Sequence, residues 1–281
     1  MRKDLKKQFV LFVLPTLTAF CIAFLIPFVM GVYLSFTRFT TVTNARWVGL
    51  ENYVRAFTGD RDFVSALWFT VKFTVLSVVT INIAAFFLAL ALTQKLWGTN
   101  GFRTVFFMPN LIGGIVLGYI WQLIINGVLA RWGADITMNA KYGFWGLVVL
   151  MNWQLVGYMM IIYIAAIQNI PPELREAARI DGAGAAAVLR HVTIPMAAPA
   201  ITICTFLTLT NSFKLFDQNL ALTRGAPQKQ TAMLALDIYN TFYGRTGYEG
   251  VGQAKAVVFF LIVAAIAWVQ LRFTRTQEVE S

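Results

Sequence analysis

The amino-acid sequence predicts an all-α membrane protein with six transmembrane helices, on three observations. Hydrophobic residues make up 58% of the 281 positions and charged residues 13%, where a soluble domain carries about 25% charge. Six apolar runs are long enough for a spanning helix, which needs about 20 residues. The basic residues behind the net charge of +10 fall in short segments between those runs, which suits membrane orientation and anionic headgroups rather than a nucleic acid. This composition argues against a soluble enzyme, a nucleic-acid binder or a disordered regulator, because one water-bathed core cannot hide so much apolar surface.

The runs are residues 9–36, 65–93, 105–126, 143–167, 196–216 and 251–271. They divide the chain into a basic N-terminus (1–8), a transmembrane domain (9–271) and a short tail (272–281). The first run follows Arg2, Lys3, Lys6 and Lys7, as a signal peptide would. Its 28 apolar residues are too many for one and no small-x-small cleavage site follows, so it reads as a retained helix. In the third run Gly113, Gly114 and Gly118 put small residues on one face, which permits close helix packing or a pore-lining role. Pro15, Pro27, Pro109 and Pro199 lie within spans, where neighbouring groups must satisfy the carbonyls they free.

Three lysines fall inside spans, each near an end: Lys72, Lys214 and Lys255. Snorkelling to the headgroups explains such positions, with a role in transport as the alternative; Lys214 suits snorkelling least, since its neighbours are polar. Cys21 and Cys204 sit in apolar runs and imply no disulfide framework, and the single His191 makes a metal cluster unexpected. With the N-terminus inside, eleven Lys and Arg lie on the cytoplasmic side against nine outside. The dense N-terminal cluster favours this orientation, and six crossings return the C-terminus to the same side.

The segment 168–195, QNIPPELREAARIDGAGAAAVLRHVTIP, is the most informative connection. Pro171 and Pro172 suit a helix start and Glu173 and Glu176 its positive end. Leu174, Ala177 and Ala178 form one face, and Gly182 ends the helix. Residues 183–190 can form a second short helix before Pro195 starts the next span. Two short helices held at the membrane surface have the shape of a docking element, with an amphipathic loop on lipid as the alternative.

Glu176-Ala177-Ala178, three residues, Gly182, nine residues, then Val192-Thr193-Ile194-Pro195 resembles the EAA loop of bacterial ABC importer permeases. Val192 and Ile194 stand where that pattern has Ile and Leu. Trp47-Val48-Gly49-Leu50-Glu51-Asn52-Tyr53 is similar to a segment in the first outer loop of carbohydrate permeases. Phe213 to Asp217, followed by Leu222-Thr223-Arg224-Gly225-Ala226-Pro227, resembles their F-x-x-F-D and L-T-x-G-G-P patterns, with Ala226 in place of the second glycine. The resemblance implies a type I ABC importer permease fold in the bacterial cytoplasmic membrane, with a coupling loop over 171–195. It implies that Glu176, Ala177, Ala178, Asp181, Gly182, Ile194 and Pro195 face an ATPase subunit.

A chain of this kind works with partners: a second homologous permease as the other half of a heterodimer, two cytoplasmic ATPases and an extracytoplasmic sugar-binding protein. No cofactor is expected on this chain, which has no GxxxxGK[ST] phosphate loop; ATP and Mg would be used by the ATPase partner, so the chain is not itself an enzyme. In maltose-type permeases the corresponding spans line the substrate cavity, which carries that role to Gln154, Tyr158, Ser212, Leu215, Phe216 and Asn219. Hydrogen bonding between helices is the other use of such residues. A secondary transporter or channel for a small polar solute is the competing class. The former should show intramembrane acids or broken helices in matching halves, and neither is evident in the sequence.

Overall fold

In the computed structural model the described residues are 12–59, 61–94 and 97–278, with side chains described except at 271 and 273–278. The N-terminal basic cluster and Lys95 lie outside them. Beside a short helical stretch at Glu51–Val54 and Arg55–Gly59, eleven helices organise the described chain. They are α1 Phe12–Ser35, α2 Arg61–Leu92, α3 Thr99–Phe107, α4 Gly114–Leu129, α5 Ala140–Gln168 and α6 Pro172–Ile180, followed by α7 Ala185–Met196, α8 Ala198–Phe213, α9 Asp217–Leu222, α10 Leu234–Gly244 and α11 Glu249–Glu278. Among the described residues five helices are long and apolar enough to cross a membrane, and α7 with α8 makes a sixth crossing only if that pair, bent by 69°, counts as one span.

The third and fifth expected spans are corrected. Residues 105–126 are not one helix: α3 stops at Phe107, Met108–Leu111 form a 3-10 turn, and α4 begins at Gly114. Pro109 therefore lies in the turn, where its missing N–H removes no α-helical bond. Pro195 does not start a span either. It sits inside α7, after a π-helical turn at Leu189–Thr193, and the chain bends at Ala197 ahead of Pro199. Pro27 likewise follows a π turn, at Cys21–Leu25. A proline ring crowds the carbonyl four residues back, and a widened turn relieves that contact. Near the C-terminus, α11 continues to Glu278, past the expected boundary at 271.

The described chain forms two compact units. One contains the residues up to Phe63 together with Ile238–Ile262. Here the Trp47–Tyr53 segment has a structural use. Asn52 is buried and donates to the carbonyls of Ser35 (2.9 Å) and Thr37 (2.8 Å), while Trp47 stacks on Phe36 and Gly49 takes a φ of +59°. Lys255 overturns the snorkelling reading: it is fully buried, its Nζ 2.8 Å from Thr241 Oγ1 and 5.2 Å from the centre of the Phe63 ring.

The other unit, Val64–Asp237 with the residues from Val263 onward, is built around α5. Two thirds of the apolar window of α5 is buried (67%), against 28% for α2 and 11% for α4, so α5 is the axis of this core. Asn139 caps its start by accepting the Lys141 N–H at 2.9 Å. Phe73, Ser77, Ile81, Ala85 and Ala89 recur every fourth residue on α2 and are buried together, as helical geometry requires of one face. Polar groups tie the spans: Asn152 on α5 donates to Thr80 on α2 (3.0 Å), Tyr163 on α5 donates to Asn82 (2.7 Å), and Asn82 donates to Thr208 on α8 (3.3 Å). Asn152 thus serves interhelical bonding, the use that satisfies a polar group away from water.

Candidate functional site

The chain between α5 and α8 begins with α6, whose two ends follow from its sequence. Pro172 occupies the first turn and Glu173 faces the helix dipole. At the other end Ala183 N–H donates to Ala178 C=O (2.9 Å) and Gly182 N–H to Arg179 C=O (3.0 Å). Gly182 has a φ of +85°, a left-handed conformation that costs glycine least and that this double-bonded helix end requires. The helix is tethered to the preceding span through Arg175, whose Nη2 donates to Ile167 C=O at 2.7 Å.

Glu176, Ala177, Asp181 and Gly182 are exposed, as are Ile194 and Pro195 on α7; Ala178 is half-buried. Leu174, Ala177 and Ala178 share one side of α6 by spacing but differ in exposure. Arg175 and Ala178 turn inward, while Leu174 (42% exposed), Ala177 and Ile180 (86% exposed) point outward. Ile180 is the residue the sequence reading missed. Its position four residues after Glu176 was the available signal, since i and i+4 share a helix face. His191 is exposed and bonded locally to Ala187 C=O, and no group of three metal-ligating side chains exists among the described residues.

A second feature lies where two helices are interrupted. The turn at 108–113 and the break at Lys214–Phe216, between α8 and α9, leave backbone out of regular helix. Between them opens a cleft of about 370 Å³. Irregular backbone at membrane depth is tolerated where it lines a cavity. Broken helices are therefore present although the sequence reading found none: the first interruption lies within an apolar run, and the second falls in the polar stretch at the end of an expected span.

The structure brings Gln154, Leu215 and Phe216 onto this cleft, with Asn110, Asn211, Lys214, Asp217 and Gln218. Gln218 Nε2 donates to Gln154 Oε1 at 2.7 Å. Tyr158, Ser212 and Asn219 are not on its wall. Tyr158 lies one turn beyond Gln154 on the same face of α5, and Ser212 is buried with its hydroxyl unpartnered among the described residues. Asn219 is fully buried and bonded inside the fold: it donates to Thr223 Oγ1 (3.0 Å) and Thr231 C=O (2.8 Å) and accepts the Met233 N–H (2.8 Å). Asn219→Ala is expected to destabilise the chain by about 1–3 kcal/mol for each buried group left unpaired, read as a lower thermal midpoint in detergent.

Asn110, which the sequence reading passed over, was signalled by a polar residue beside a proline in an apolar run. Two glycines hold the cleft in shape. A Cβ on Gly114 would stand 2.7 Å from that of Asp217, and one on Gly118 2.7 Å from that of Ala221. Their meaning is therefore close packing of α4 on α9, while Gly113 has nothing near it. In the following loop Gly225 takes a φ of +83° and Ala226 is not among the residues with positive φ. Alanine there is consequently no backbone problem.

Comparison with known proteins agrees with this architecture. The chain is 44% identical over 278 residues to the probable starch degradation products transport system permease protein AmyD of Thermoanaerobacterium thermosulfurigenes, covering 96% of this chain and 94% of that one. It is 30% identical to the multiple sugar-binding transport system permease protein MsmF of Streptococcus mutans, covering 91% of each. A chain of a bacterial alginate ABC transporter, solved in complex with alginate pentasaccharide-bound periplasmic protein, superposes with a TM-score of 0.80 at 21% identity, covering 98% of this chain and 97% of that one. The fold is that of a type I ABC importer permease. The family described as binding-protein-dependent transport system inner membrane component matches residues 81–278, and the chain belongs to that family, a transport component and not an enzyme.

Proposed function

We propose that this chain is one permease half of an ATP-driven importer of oligosaccharides. The observation that carries the reading is the 44% identity, over nearly the whole of both chains, to a relative named for transport of starch degradation products. The cleft supports it. Amide side chains of Asn110, Gln154, Asn211 and Gln218, one lysine, one carboxylate and the ring of Phe216 gather there, and a sugar offers a hydroxyl rim and apolar ring faces to such groups. Tyr158, Ser212 and Asn219 extend or back that path.

Moving a two-state transporter from about 1:99 to 99:1 takes about 5.5 kcal/mol of differential binding, and this chain has no phosphate loop from which to draw it. The energy comes from two ATPase subunits, which use ATP and Mg and grip the loop of Glu176, Ala177, Ala178, Asp181, Gly182, Ile194 and Pro195. A second homologous permease completes the pathway and an extracytoplasmic sugar-binding protein delivers the ligand. Both termini are cytoplasmic, which the N-terminal basic cluster favours.

The test is reconstitution of the chain with its partner permease, ATPases and binding protein in liposomes. ATP-dependent uptake of maltodextrins is expected; uptake that persists without ATP would support a secondary transporter or channel instead. Gln154→Ala is expected to raise the KM for uptake several-fold while the ATPase stays bound on co-purification. Unchanged kinetics would remove the cleft from the pathway.

A further inference from the structure

We propose that the cleft between α2 and α5 holds the anionic headgroup of a membrane phospholipid. This inference rests on membrane embedding alone and is independent of the sugar reading. The cleft measures about 820 Å³ and is separate from the one that holds Gln154. Lys72 and Lys141 supply two ammonium groups to its lining, no carboxylate lines it, and Trp68, Phe69, Phe144 and Trp145 wall it.

The helix ends show where it lies in the bilayer. Lys141 is in the first turn of α5 and Ser65 in the second turn of α2, so the cleft opens at the membrane–water boundary where both helices begin. Trp68 and Trp145 are 60% and 56% exposed there, and indoles favour headgroup depth. Lys72 is deeper, roughly 16 Å along α2 from its start. It is exposed inside an apolar run, and its flexible stem lets the ammonium reach back toward the boundary.

An ammonium drawn back to that boundary is attracted by an anionic headgroup. A phosphodiester set between Lys72 and Lys141 provides one, and its acyl chains would lie along the aromatic wall. A zwitterionic headgroup brings its own cation against two lysines, so the chemistry favours phosphatidylglycerol or another anionic lipid over phosphatidylcholine.

The experiment uses the full chain purified in neutral detergent. Retained phospholipid is counted by native mass spectrometry, and thermal unfolding is followed with added phosphatidylglycerol, phosphatidylcholine or inorganic phosphate. Phosphatidylglycerol is expected to be retained and to raise the unfolding midpoint, with neither effect from the other two. Removing both charges as K72Q/K141Q should weaken phosphatidylglycerol binding about thirtyfold, on the scale of two interfacial lysines, and leave the lipid-free midpoint unchanged. Parent-like phosphatidylglycerol binding by that variant overturns the proposal. So does an equal response to inorganic phosphate, or efficient cross-linking of Trp68→Cys in native membranes to a second permease chain, since a protein helix would then fill the cleft.

Discussion

Gly157→Val is expected to yield no folded, monodisperse protein. A side chain at Gly157 on α5 would fall on the carbonyl of Phe106, with the Phe107 nitrogen 2.8 Å away. The obstacle is backbone, which cannot rotate aside as a side-chain tip would. Overpacking of a core costs about 1–3 kcal/mol where side chains can adjust. Here α3 would have to leave the axial helix of the unit, so the loss should exceed that range. Gly127→Val on α4 is the control, because nothing lies within 4 Å of its added carbon. Thermal unfolding followed by size-exclusion chromatography in detergent separates the two. A Gly157→Val protein that elutes and melts like the parent would show that α3 does not pack on α5 as described.

Glu176→Lys is expected to abolish ATP-dependent uptake and to release the ATPase on co-purification, with insertion in the membrane intact. Glu176 is exposed, so reversing its charge leaves the fold alone and changes only what a partner meets. Exchanging a charge-assisted hydrogen bond for like-charge repulsion costs several kcal/mol in a desolvated interface, enough to empty the complex at ordinary concentrations. Gly182→Asp should act at the same surface by another route. The space beside Gly182 is open, but its φ of +85° disfavours any side chain, so the helix end that presents Glu176 and Ala177 would shift. Membranes in which either variant transports normally with its ATPase attached would end the docking reading.

Much of the candidate site was legible in the chain. The turn after α6 could be read because its requirements are local: a glycine at the left-handed position and a helix of eligible residues before it. The apolar runs were equally plain, since bilayer thickness sets their length. Three features resisted reading, each because a neighbour decides it. Lys255 lies near a span end, where snorkelling is the default, yet Phe63 and Thr241 enclose it. Ala178 and Ile180 have similar claims to an outward position, and the packing of α6 selected Ile180. Asn219 resembles a ligand-facing polar residue until Thr231 and Met233, more than ten positions later, take up its amide.

Composition and spacing act along the chain, and they were enough to identify a helical membrane protein, most of its long apolar helices and the family it belongs to. Where helices break, which amides face the cleft and which are absorbed by the fold were settled by packing in three dimensions. Such outcomes depend on partners brought together from distant positions: a buried polar group must bond to whatever the packing places beside it.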